Sequence, residues 1–287
     1  MPNTKALALV LWIAGGAAGA QGFAVERLYQ SAPGGGWLVM DDLDLQGGLG
    51  GAVSLTIGYA RRPLQVRSLE VVQSQAFANI GLAVTYSRFR LYTNLSSPLY
   101  VAGQSGMQFL APTVNIEQNP DTFSDVALGL DARLLGEPAS VFRLGAGAQL
   151  IFPSGTRADY STDDTYRAMG RLLVAGDLDR FSYAGHLGVH VRPLDDAATP
   201  GSPRGSELLF GAAAGWRAAT SVVIGPEIHG ATAFRSFLSS DATALEGLLT
   251  ARYESTVRFK AGIGAGLNPK FGAPQWRVVL GVELRGR

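Results

Sequence analysis

From residue 36 onward one pattern recurs: stretches of roughly ten residues in which apolar side chains take every second position. "FANIGLAVTY" sets Ile80, Leu82, Val84 and Tyr86 against Asn79, Gly81, Ala83 and Thr85. "VFRLGAGAQLIF" sets Phe142, Leu144, Leu150 and Phe152 against Arg143, Gly145, Gly147 and Gln149. "FSYAGHLGVHVRPL" sets Phe181, Tyr183, Leu187, Val189 and Val191 against Ser182, His186, His190 and Arg192. A helix of period 3.6 cannot segregate such a pattern, and a strand of period two can. Soluble strands average about 5–6 residues, whereas strands that cross a membrane need about 9–11. Aromatics sit near segment ends (Tyr86, Phe142, Phe152, Phe181, Trp216, Tyr253, Trp276), where interfacial girdles form.

The connections alternate in length. Short ones fall at 47–51, 87–89, 136–140, 177–180, 218–221 and 254–256. Long ones lie at 98–124, 153–165, 195–205, 235–243 and 268–275, with a medium one near 66–70. This parity is that of an outer-membrane barrel with short periplasmic turns, and a soluble sandwich has no reason to keep it. The expected fold is therefore all-β, a closed antiparallel transmembrane β-barrel. Twelve strands are read from Ala52 onward. "FAVERLYQ" (23–30) and "GWLVMDDLDLQ" (36–46), joined by "SAPGGG", would add an ascending and a descending strand. That gives about 14 strands, or 12 if residues 21–47 instead form a plug or inner tether.

The first twenty residues, "MPNTKALALVLWIAGGAAGA", carry a lysine, an apolar run and a small-residue site at Ala18-Gly19-Ala20. That is the pattern of a cleaved signal peptide, so the expected division is a signal peptide at 1–20 and a barrel at 21–287. Composition excludes several other classes. The net charge of +1 offers no field for nucleic acid, and the chain has no cysteine for thiol catalysis or disulfides. Glycine is abundant, 37 residues, and many fall on the polar side of the strands, where a barrel curves.

The stretch "FAVERLYQSAPGGGWLVMDDLDLQGGL", followed by "GYARRPL", and the phrases "LGAGAQLIFPSGTRADY", "GSELLFGAAAG" and "VVIGPEIHGAT" resemble the barrel half of OmpA-family outer-membrane proteins of myxobacterial type. The resemblance implies a barrel followed by a periplasmic peptidoglycan-binding domain. The sequence instead ends at "LGVELRGR" after the last strand, so wall anchoring is not expected and "WRVVLGVEL" would carry the assembly signal.

The polar register collects the ionisable groups. It holds Asp131, Arg133, Arg143, Arg167, Arg171, Asp177, His186, His190, Arg192, Glu207, Arg217, Glu227, His229, Glu246, Arg252, Glu254, Arg258, Lys260, Arg277 and Glu283, all expected to face the lumen. They either line a water-filled pore, whose basic excess mildly favours anions, or pair across strands and seal it, because unpaired buried charge is costly. His186 and His190 would lie about 13 Å apart on a strand, too far to share a zinc. Ser182, His186 and Glu227 supply the residue types of a hydrolase, but no nucleophile motif frames the serine. "GIGAGL" (262–267) lacks the lysine and helix of a phosphate loop. No catalytic residue, metal or cofactor is expected. The expected partners are outer-membrane lipid, lipopolysaccharide and the barrel assembly machinery of a Gram-negative cell, with no nucleic acid. Acidic residues in or beside the long loops (Asp121, Asp125, Asp159, Asp163, Asp164, Asp195, Asp196, Asp241) are read first as solvated loop charge, with bridging of divalent cations to lipopolysaccharide as the alternative. The leading expectation is a porin-like passive channel for small solutes. Its rivals are a membrane-integrity barrel with a salt-bridged lumen and, more remotely, a barrel hydrolase.

Overall fold

A computed structural model describes residues 23–66, 69–103, 124–155, 160–194, 205–268 and 272–286. The expected signal peptide lies outside the described residues. Twelve strands form one closed antiparallel barrel. They are β1 Leu49–Val66, β2 Leu69–Tyr86, β3 Phe89–Gly103, β4 Asp125–Leu135, β5 Arg143–Pro153, β6 Arg167–Leu178, β7 Phe181–Val191, β8 Glu207–Ala219, β9 Val222–Ala233, β10 Thr243–Tyr253, β11 Val257–Asn268 and β12 Trp276–Gly286. Each pairs with its neighbour in sequence. β12 returns to β1 in an unbroken register from Gly51↔Gly286 to Arg61↔Trp276. Closure leaves no sheet edge, as the bilayer interior requires. Among the described residues no helix is long and apolar enough to cross a membrane.

The alternation places the side chains. Leu82, Leu130, Leu187, Ile228, Leu249 and Leu280 are exposed on the outer wall, an apolar belt that only lipid can cover. Aromatic pairs mark both rims. Phe181 meets Trp216 at 4.7 Å on the short-turn side, and Tyr59 meets Trp276 at 5.3 Å on the long-loop side. β3 runs on to Gly103, past the position where the sequence placed a loop from residue 98. Pro98 is carried within the strand beside a register shift between Ala76 and Phe77, an irregularity that accommodates the missing N–H.

The strand count is twelve, and fourteen is corrected. Residues 23–48 join no barrel strand, and their one β-bridge, Gly36↔Asp41, is internal to the segment. The reason is the charge pattern. Glu26 and Arg27 are consecutive, and so are Asp41 and Asp42, so each pair occupies both registers. As a wall strand, either stretch would turn one charge to lipid, at up to about 2–4 kcal/mol for arginine near the midplane. The segment instead runs down the lumen. An eight-stranded barrel is about filled by its own side chains, and a twelve-stranded one leaves room for more. Here the chain itself takes that room.

Candidate functional site: a lumen occupied by residues 23–48

The segment enters at the long-loop mouth and leaves at the short-turn mouth, where β1 begins. At the upper level Phe23 packs edge-on to Tyr160 at 5.5 Å, within an apolar cluster of Val25, Leu64, Val71, Val72, Val101 and Leu194. The Ala24 amide donates to Asp163 Oδ1 at 2.8 Å, and the Val25 amide to the Tyr160 carbonyl at 3.1 Å. Arg192 donates to both oxygens of Asp163 at 2.7 Å and to Glu207 at 2.9 Å. Burial pushes the Asp163 carboxyl up, but the Arg192 and Arg167 guanidiniums outweigh it and hold the group well below the usual carboxylate range. Arg27 reaches Glu207 at 2.7 Å, and the Tyr29 hydroxyl lies 3.2 Å from His190 Nδ1. Glu26 accepts from Arg277 at 2.8 Å, and the same guanidinium donates to Glu246 at 2.7 Å.

The middle level is apolar around one carboxylate. Trp37, Leu38, Val39, Met40 and Leu43 pack against Phe77, Leu173, Ala213, Val223, Leu248 and Val279 of the wall. Two wall glycines permit this approach. A Cβ at Gly211 would collide with the end of Met40, and one at Gly215 with the Trp37 ring. Glu227 of β9 is fully buried and accepts the consecutive backbone amides of Leu38, Val39 and Met40 at 3.0, 2.8 and 3.2 Å. The Trp37 ring lies 4.2 Å beneath Arg252, a cation–π contact. The Trp37 carbonyl accepts from Lys260 at 3.0 Å.

The lower level is ionic. Arg90 bridges Asp41 of the segment and Asp131 of β4, the latter at 2.6 Å. Arg143 donates to the Asp42 carbonyl at 2.8 Å and to Asp177 at 2.7 Å. Arg133 donates to the Leu45 carbonyl at 2.7 Å, and Arg285 to the Gly34 carbonyl.

Every ionisable residue expected on the inner register is buried or half-buried there. Many pair within the wall: Arg258 and Lys260 with Glu283 at 3.2 and 3.0 Å, Arg217 and Arg252 with Glu254 at 2.7 and 2.8 Å, and Arg171 with the Tyr92 hydroxyl at 2.9 Å. At Glu254, in a short turn, burial raises the carboxyl, but Arg252 and Arg217 hold it below its ordinary value. The basic excess is thus largely consumed by carboxylates of the wall and the segment.

The hydrolase trio is not assembled. Ser182 is engaged by Arg252 at 3.3 Å, and both oxygens of Glu227 are committed to backbone amides. His229 lies 3.8 Å from Glu246 and lines a small cavity with His186 and Arg171. Among the described residues no three metal-binding side chains converge. Two acidic loop residues are corrected. Asp125 and Asp163 turn inward onto Arg167 and Arg192, because buried guanidiniums need partners, and so do not face bridging cations outside. Asp164 and Asp241 are exposed, while Asp121, Asp159, Asp195 and Asp196 lie outside the described residues. The sequence reading passed over Arg90, although "FRLYTN" alternates like its neighbours, and Asp41 with Asp42, whose adjacency was the sign of a non-strand.

No family model matches the sequence, and neither does any curated protein. Solved structures do match the fold. The COG4313 outer membrane channel from Pseudomonas putida F1 superposes with a TM-score of 0.59 at 12% identity, over 83% of this chain and 95% of that one. The NanC porin gives 0.52 at 6% identity, over 82% and 98%. The KdgM porin gives 0.50 at 9%, over 81% and 98%. The chain therefore has the fold of an outer-membrane β-barrel, and no family model places it with OmpA.

Proposed function

We propose that this protein is a porin-like outer-membrane channel for small solutes, closed in the state described by its own residues 23–48. The observation that carries the reading is how that segment is held. It crosses the full lumen without a single strand pairing to the wall. Its anchors are mostly wall side chains that hold its side chains, amides and carbonyls, and these can exchange for water. Its departure would leave a lumen lined by Arg90, Asp131, Glu227, Arg277 and their neighbours, polar enough to stay wet. The likeness of the fold to three channels supports this reading.

The wall-to-wall pairs at Glu283 and Glu254 favour a second reading, a sealed OmpA-type barrel that stiffens the membrane. A single experiment separates the two. The refolded chain and a variant lacking residues 23–46 are compared in planar bilayers, with heat-modifiable gel mobility to verify closure of the barrel. The channel reading expects sustained ohmic conductance from the shortened barrel and rare openings from the full chain. A closed, inserted, shortened barrel that does not conduct would replace the channel with the sealed barrel.

A further inference from the structure

Beside the upper part of the segment lies a cavity of about 110 Å³, between residues 24–30 and strands β2 to β5. On this measure a single water needs only about 10–15 Å³. Its chemistry is unlike that of the rest of the lumen. Five primary amides line it: Gln30 from the segment, Gln75 and Asn79 from β2, Asn94 from β3 and Gln149 from β5. Each carries both donors and an acceptor at fixed geometry. Phe77 supplies an apolar face on the same wall, and the Tyr29 ring faces it from the segment.

The ionised groups at its border are already neutralised. Asp125 is paired with Arg167 and also accepts from Thr162 at 2.7 Å. Glu26 is paired with Arg277 and accepts the Leu28 amide at 2.8 Å. One amide is left wanting. Gln75 is 2% exposed, and its Oε1 has no hydrogen-bond partner among the described residues. A buried acceptor of this kind costs free energy until a donor reaches it.

We infer that this cavity binds a small, neutral, hydroxyl-rich solute, of polyol to monosaccharide size. Hydroxyls both donate and accept, so they can satisfy amides that a carboxylate or an ammonium can match only by half. The C–H face of such a solute suits Phe77. Neutrality follows from the paired border, since a charged solute would be desolvated with no free counter-charge to meet it. This assignment rests on the channel reading, in which the cavity is a stopping place on the upper half of the path.

The test is saturation-transfer NMR on the refolded full chain in micelles. The probes are erythritol, D-xylose and D-glucose, with gluconate and glucosamine as charged counterparts. Saturable transfer from at least one neutral probe is expected, with the charged counterparts bound at least about tenfold more weakly. Gln75→Leu is expected to weaken binding by up to about tenfold, with heat-modifiable mobility unchanged. If Gln75→Leu fails to fold, Gln149→Leu, at a half-exposed position, is expected to show the same loss. No saturation by any neutral probe, equal binding of gluconate, or unaltered binding in the folded variants would each overturn the inference. Binding is read on the closed protein and needs no current. A shortened barrel that conducts while the full chain binds nothing removes this inference alone, and binding without conductance removes the channel alone.

Discussion

Replacing Glu227 with alanine should unlatch the segment. The Glu227 carboxylate takes three consecutive amides, at 2.8 to 3.2 Å, from a fully buried position. A hydrogen bond to an ionised group contributes about 1.5–3 kcal/mol, and an amide left without a partner in a dry site costs about 1–3 kcal/mol. Three such losses, partly relieved by water entering where the side chain stood, come to about 3–5 kcal/mol. At about 1.4 kcal/mol per power of ten, the displaced state should become about 10²- to 10⁴-fold more populated. Glu227→Gln keeps one acceptor oxygen but presents an NH₂ to a donor, so its effect should be about half as large in free energy. The assay is single-channel recording of the refolded variants, with limited proteolysis of the segment as an independent reading. Opening probability should rise in the order wild type, Gln, Ala, and the segment should become cleavable in the same order. A folded Glu227→Ala variant that opens no more often than wild type would show that the three amides do not hold the segment in place.

Other positions give sharper local tests. Arg90→Leu strands two buried carboxylates, Asp41 and Asp131, and should destabilise the barrel by about 3–5 kcal/mol, read as a lower temperature for loss of the heat-modifiable band. Gly215→Leu should displace Trp37 and cost about 1–3 kcal/mol, visible as a red shift of tryptophan emission and more frequent opening. In the barrel lacking residues 23–46, Arg167→Gln with Arg171→Gln frees Asp125 and removes a second cation from beside Asp163 and Asp131, which keep Arg192 and Arg90, so the reversal potential in a salt gradient should move toward cation preference. The carboxyl of Asp163 is lowered, because Arg192 and Arg167 outweigh its burial, so its stabilising contribution is complete above the unfolded value near 4 and is lost as pH falls further. Thermal stability of the upper anchor should therefore hold from pH 7 to about 5 and decline below about 4, and Asp163→Asn should flatten that decline.

The wall was legible because lipid enforces a strict rule. Every outward position must be apolar, so strands such as "FSYAGHLGVHV" display their register openly, and spacing alone sets His186, His190 and Arg192 on the register opposite the apolar one. The segment obeys no such rule. "FAVERLYQ" alternates enough to pass for a strand, and only the adjacency of Glu26 with Arg27 betrays it. Its partners are the least legible part of the site. Nothing local to Glu227 says that its ligands are amides nearly 190 residues earlier in the chain. Gln75 and Gln149 likewise meet at one cavity only because barrel closure and the passage of residues 24–30 bring them there. Pairing between strands is periodic and can be read along the chain, whereas contact across a lumen depends on how the ring closes.

A hoop with a thread through it has a history. The seam between β1 and β12, eleven residue pairs from Gly51 to Arg61, joins the first wall strand to the last. Two routes lead to the finished object: the thread is pulled through a finished hoop, or the hoop is wrapped around a thread already laid across it. The first route drags Glu26, Arg27, Asp41 and Asp42 past a narrowing wall of opposite charges. The second lets each of them meet its partner as the strands arrive, β3 bringing Arg90, β5 Arg143, β8 Glu207 and β12 Arg277. Wrapping makes the leading stretch of the chain a mandrel, a form on which the circumference is gauged before the last seam is drawn shut.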